Sequence, residues 1–267
     1  MRFVAVGDSF TEGVGDERPD GSVRGWADLV AAHLSQDQDV EYANLAIRGR
    51  LLTSIATTQL DQALAMDPPP TFMTFNGGGN DMLRSGFSVP ALTALTHRSI
   101  HEILANGIEL VVLTSPDPTE YLPMGKVVRG RARELTEAIT ELVQGLPLTY
   151  VNTFADQELR DGAGYWPGDR LHLGPHGHRR VADLVLQALG HPVEPYTLPA
   201  DHPVAPAGDH SDVTLAETGR RAVAARLSTE MQYYREHVVP WIERRLLGRS
   251  SGDAVTAKQP FWGPVPG

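Results

Sequence analysis

Short apolar runs rich in β-branched residues recur at 3–6, 40–45, 71–75, 110–113 and 148–151, the mark of strands buried in a sheet. Between them lie segments whose apolar positions repeat at helical spacing, 26–34, 51–65, 89–105, 127–143 and 177–189, each long enough to cover one face of that sheet. Five strands alternating with helices predict a right-handed, doubly wound α/β sandwich on a five-stranded parallel sheet. Ligand sites in such sheets gather beyond the carboxyl ends of the strands, so the residues just after each strand are where chemistry is to be sought.

Those residues are glycines and small polar groups. Gly7-Asp8-Ser9-Phe10 follows the first strand, Arg48-Gly49-Arg50 the second, and Asn76-Gly77-Gly78-Gly79-Asn80-Asp81 the third. From about His191 the pattern changes. Pro192, Pro195, Pro199, Pro203 and Pro206 read as a linker or a strap across the domain. Residues 214–247 regain helical periodicity, with Pro240 expected to kink the helix, and 252–267 read as a tail. The chain therefore divides into a domain over 1–190 and a proline-rich strap, helix and tail over 191–267. The amphipathic helix is expected to pack on the domain or on a second copy of the chain, a candidate homo-oligomer contact.

With 267 residues, 41% of them hydrophobic, there is room for one sizeable α/β domain and an appendage. No window approaches the roughly 18 consecutive apolar residues of a membrane span, and the run that starts at Phe3 is broken by Gly7-Asp8. Neither a signal peptide nor an anchor is expected, and cytoplasmic residence is the default. The absence of cysteine excludes disulfides, thiolate nucleophiles and Cys-ligated metals. A net charge of −10 argues against a nucleic-acid partner, since phosphates demand a basic patch. The one basic cluster, Arg244, Arg245 and Arg249, reads as a solvated helix end.

A serine on a tight turn after the first strand can present its hydroxyl above the sheet while its own N–H helps to bind an oxyanion. Ser9 is placed for this, although Gly7-Asp8-Ser9 is equally good turn and N-cap chemistry. Asp169-Arg170-Leu171-His172 adds the missing groups. A carboxylate three residues before a histidine can bond its ring and fix its tautomer within one turn, so base and orienter come as one unit.

Four blocks, in this order, resemble the GDSL/SGNH hydrolases: Gly7-Asp8-Ser9-Phe10, Asn44-Leu45-Ala46-Ile47-Arg48-Gly49, Gly78-Gly79-Asn80-Asp81 and Asp169-Arg170-Leu171-His172, the last followed by Gly177-His178. Phe10 replaces the leucine that names the family. The resemblance covers about residues 1–190 and implies a flavodoxin-like doubly wound fold and a serine carboxylester hydrolase that needs no cofactor. It implies Ser9 as nucleophile, His172 as base and Asp169 as orienter. It further implies an oxyanion hole from the Ser9 and Gly49 N–H groups and the Asn80 amide. Phe10 is expected to face away from the chemistry. The substrate would be a small-molecule ester with a small to medium acyl group; acetyl esterase, lysophospholipase and thioesterase variants all fit. Acyl transfer, or a noncatalytic binding module on the same fold, are the competing readings.

Other readings of the same residues are weaker. His172, His176 and His178 are close enough in sequence for a metal set, but Pro175 and Gly177 break the helical spacing this needs, and no metal is expected. Gly13-Val14-Gly15 and Gly77–Gly79 complete no phosphate-binding pattern and read as turns. Asp81 can be a second catalytic carboxylate or a pin for the loop that aims Asn80. Arg48 and Arg50 can meet an acidic part of the substrate or serve the surface. Residues 15–25 either line the pocket or merely connect.

Overall fold

The computed structural model describes residues 1–121, 125–199, 252 and 254–267. Its sheet has the order β5-β4-β3-β1-β2-β6. The first five strands, β1 (Arg2–Val6), β2 (Glu41–Asn44), β3 (Phe72–Asn76), β4 (Glu109–Leu113) and β5 (Thr149–Val151), pair in parallel, as the apolar runs predict. The first crossover runs through α1 (Ser9–Glu12) and α2 (Trp26–Leu34). The second is a helical stretch made of α3 (Leu52–Ser54), a π-helical turn Ile55–Gln59 and α4 (Leu60–Leu64). The rest are α5 (Val89–Ala105), α6 (Gly125–Leu142), the short α7 (Gln157–Asp161) and α8 (Pro175–Ala188).

Strand alternation divides the core between the two faces. Phe3 and Ala5 of β1 join Trp26, Val30, Tyr165, Val181 and Val185 under α2 and α8. Val4 and Val6 join Leu52, Leu60, Ile100, Ile103 and Ile139 under the other helices. The helix starts are written locally. Ser88 caps α5 by accepting the Ala91 N–H, with proline in the first turn, and Pro175 opens α8, where its missing N–H costs nothing.

The carboxyl-terminal residues depart from the tail expected of them. Gln259–Gly263 forms β6, antiparallel to β2, with Tyr42 opposite Gly263 and Asn44 opposite Gln259. Pro260 is compatible with this because β6 is an edge strand, where a missing N–H need not break a ladder. Lys258 Nζ reaches the carboxylate of Asp28 and, at 3.2 Å, the Val23 carbonyl, and Trp262 Nε1 donates to Pro68 O at 2.8 Å. The described part of the proline-rich segment, up to residue 199, runs against α8. Arg180 donates to Tyr196 O at 2.7 Å, and the Leu198 N–H donates to the Tyr165 hydroxyl at 2.9 Å. The helix expected over 214–247 lies outside the described residues. Among those described, no helix is long and apolar enough to cross a membrane.

Candidate active site

The sheet order reverses between β1 and β3, so the loops after these two strands diverge and leave a crevice at the carboxyl edge. Ser9 stands on one side of it, at the first position of α1, and Asn80 follows β3 on the other. A first-turn N–H has no acceptor within its own helix, which leaves that of Ser9 available to a ligand. Asp8 caps α1 by accepting the Phe10 N–H at 3.1 Å.

The loop before α8 brings the other two groups. His172 Nε2 lies 3.1 Å from Ser9 Oγ, and His172 Nδ1 lies 2.6 Å from Asp169 Oδ2. Asp169 Oδ1 accepts the backbone N–H groups of Leu171 at 3.0 Å and His172 at 2.9 Å, which curls the chain back on itself. Within this turn Arg170 adopts φ 57°, the one non-glycine residue with positive φ among the described residues. Burial would raise the Asp169 carboxyl, but the side-chain bond and charge of His172 and the two N–H groups outweigh it and hold it at about 2. An ionised carboxylate only accepts, so Nδ1 carries the ring proton and the Nε2 lone pair faces the serine.

Asn80 is tied on the opposite side. Its Nδ2 donates to Asp8 Oδ2 and to Arg50 O, both at 3.1 Å, so the amide bridges the Ser9 turn and the turn that holds Gly49. Gly49 has φ 74°, a left-handed conformation that favours glycine. Burial pushes Asp8 up to about 6, against the lowering effects of the Phe10 N–H, the His172 charge and the Asn80 amide. Asp81 proves a pin: its Oδ2 accepts the Leu52 N–H at 2.9 Å, fixing the loop to the start of α3. Arg48 turns inward to Glu12, whose carboxylate accepts its backbone N–H at 2.6 Å and its Nε at 2.9 Å.

Two supports escaped the sequence reading. One is Glu12, a buried carboxylate three residues beyond Ser9. The other is Gln59, at the end of the π-helical turn, whose buried amide accepts the Gly7 N–H at 2.8 Å and donates to Gly7 O at 2.9 Å. Inserting a π turn rotates the residues beyond it, and here Gln59 brackets the backbone two residues before the serine. Helical periodicity alone gives no sign of this, since it reads Gln59 as one more position on a regular helix.

The three neighbouring histidines go to different places. His172 joins Ser9 and Asp169, and His176 stacks on Tyr196 at 5.2 Å. His178 is fully buried between the Trp26 N–H (3.3 Å) and the Val14 carbonyl (3.2 Å). Burial drives its imidazolium down to about 4, so the ring is neutral, with Nδ1 accepting and Nε2–H donating. Phe10 packs on Trp26 and His178, at centroid distances of 5.6 and 6.5 Å, while also bordering the crevice. Residues 15–25 form a tight loop closed by the Glu17–Val23 bridge and the Asp16–Arg24 ion pair, and none of them borders the cavity beside Ser9.

A serine, a histidine and an aspartate in bonded series at the carboxyl edge of a doubly wound sheet define a serine hydrolase of the α/β class. Residues 5–180 match the GDSL-like Lipase/Acylhydrolase family, and the chain belongs to it. It is thus a GDSL-type ester hydrolase. No curated protein matches the sequence. The fold is similar to that of TesA (20% identity, TM-score 0.55, covering 71% of this chain and 98% of that one). It is also similar to a catalytic mutant of Axe2, an acetylxylan esterase from Geobacillus stearothermophilus (16%, 0.59, 71% and 94%). A third such structure is the lipase/acylhydrolase from Enterococcus faecalis (19%, 0.57, 74% and 99%).

Proposed function

We propose that the enzyme hydrolyses small to medium acyl esters through an acyl-enzyme on Ser9. The observation that carries this reading is the unbroken series from Asp169 through His172 to Ser9, at 2.6 and 3.1 Å. As Ser9 Oγ bonds to the ester carbonyl carbon, its proton passes to His172 Nε2 and the carbonyl oxygen becomes an oxyanion. The imidazolium so formed is stabilised by the ionised Asp169. Collapse of the tetrahedral adduct breaks the bond to the alcohol, which leaves with the proton from Nε2. Water then repeats the sequence on the acyl-enzyme and releases the acid.

The oxyanion would be met by the N–H groups of Ser9 and Gly49 and by the Asn80 amide. Asn80 now spends its hydrogens on Asp8 and Arg50, so its part in catalysis requires one of them to turn to the developing charge. Such a donor acts on charge that exists only in the transition state, and its loss typically lowers kcat by about 10²–10³.

The test is turnover of p-nitrophenyl butyrate by the native enzyme and by Ser9→Ala, His172→Ala and Asp169→Asn, together with mass mapping of the adduct left by a serine-reactive phosphonate. The expected result is a phosphonate on Ser9, loss of about 10⁴-fold or more of kcat in the first two variants, and a smaller loss in the third. Undiminished turnover by folded Ser9→Ala would overturn the proposal.

A further inference from the structure

The crevice beside Ser9 does not end at the surface. The cavity that opens on Ser9 and His172 is also walled by Thr96 of α5, Val112 of β4 and Ala132, Leu135 and Ile139 of α6. All five are buried, and four of them are hydrophobic core residues on the α5–α6 face of the sheet. A partly buried nucleophile and the interior of a hydrophobic core therefore share one space. That space is about 140 Å³.

Its outer wall is braced. Arg131 of α6 donates to Met82 O at 2.7 Å and to Arg84 O at 3.1 Å, across the cavity mouth from its own helix. Arg129 pairs with Asp117 at 3.3 Å and with Glu120, tying α6 to the segment after β4. Buried Asp117 is itself fixed by the Thr119 N–H at 3.0 Å. With α6 held at both rims, the void cannot readily be closed by the helix settling onto the sheet, and its largely apolar lining favours an apolar group over water.

We propose that this compartment receives the acyl chain of the substrate and sets its length. The inference rests on the reading of Ser9 as nucleophile. An engineered apolar cavity of ~150 Å³ holds one benzene, six carbons. The compartment here is of the same size, so it takes about six carbons beyond the carbonyl. Substrates are hexanoyl to octanoyl esters or thioesters in preference to acetyl and to long-chain ones.

Calorimetric titration of Ser9→Ala with methyl acetate, butanoate, hexanoate, octanoate and decanoate tests the compartment without turnover. Affinity is expected to rise about fourfold per methylene, the ratio that ~0.8 kcal/mol represents, up to six to eight carbons, and then to level or fall. Adding Ala132→Leu, which fills the void from α6, should move the optimum to shorter chains. Thr96→Leu, from the opposite wall, should do the same if Ala132→Leu does not fold. Equal affinity across the series, or an optimum that neither folded variant moves, overturns the proposal. Hydrolysis of the matching p-nitrophenyl esters by the native enzyme separates the two readings. Turnover without length preference removes the compartment and leaves the esterase. Length-selective binding without turnover removes the hydrolytic reading of Ser9 and leaves the compartment.

Discussion

Glu12 holds Arg48 by two separate parts of the residue, its backbone N–H at 2.6 Å and its guanidinium Nε at 2.9 Å. Glu12 ends the short helix that Ser9 begins, and Arg48 immediately precedes Gly49. The pair thus locks two loops in one register, the loops whose N–H groups are proposed to meet the oxyanion. Because the Glu12 side chain is 4% exposed, the contact is little screened by solvent.

Glu12→Gln should lower kcat by about 10–100-fold, the cost of a supporting hydrogen bond of ~1–3 kcal/mol, with little change in KM. Steady-state kinetics on a short-chain ester checks this. A rise in KM at constant kcat would place the effect in ground-state binding instead.

Asp8 makes a pH-dependent contribution that its replacement would reveal. The folded protein keeps the Asp8 proton up to about pH 6, whereas the unfolded chain releases it near 3.8. The resulting stabilisation is present in full below 3.8 and is lost as pH rises through 6. At pH 8 the buried charge thus costs on the order of 3 kcal/mol relative to a neutral side chain. Asp8→Asn is expected to be more stable than the native protein at pH 8, to lose that advantage at pH 4, and to be less active because the partner of Asn80 has changed. Denaturant midpoints at the two pH values test it.

His178 works in the opposite direction. Its pKa is about 4 in the folded state and 6.5 in the unfolded one, so it contributes stability above 6.5 that is lost as pH falls through 4. Between those values the native protein should lose on the order of 3 kcal/mol on this account. His178→Gln, neutral at every pH and able both to accept from Trp26 and to donate to Val14, should show a flatter fall in Tm from pH 7 to 4. An unchanged slope would mean that His178 is not buried as a neutral ring.

Gly15 has φ 103°, and a Cβ there would collide with the Leu173 carbonyl and lie 3.4 Å from the Cβ of His172. Gly15→Ala should therefore displace the histidine loop, lowering kcat/KM by 10-fold or more and lowering Tm. Native kinetics in this variant would show that the loop has room to spare.

Much of this arrangement is written along the chain. The five parallel strands and the long helices follow from local periodicity, because each element buries its own apolar face or run. Asp169 and His172 are legible as a unit because a single turn joins them, and Ser9 because a strand followed by glycine and a small polar residue can only place it at the sheet edge. The sixth strand is not legible in this way. Gln259-Pro260-Phe261-Trp262-Gly263 has no alternation, contains a proline and owes its structure to β2, more than 200 residues away. Glu12 and Gln59 likewise look like ordinary helix residues until folding brings Arg48 and Gly7 against them.

The sequence by itself determined which groups would meet above the sheet, since chain order in a doubly wound fold delivers every strand end to the same edge. Only the tertiary structure decided how those groups are held and how much space lies beneath them. The hold on Gly49, the bracket on Gly7 and the cavity between α6 and the sheet all depend on contacts between segments far apart in the chain, and no local pattern encodes the distance between two packed elements.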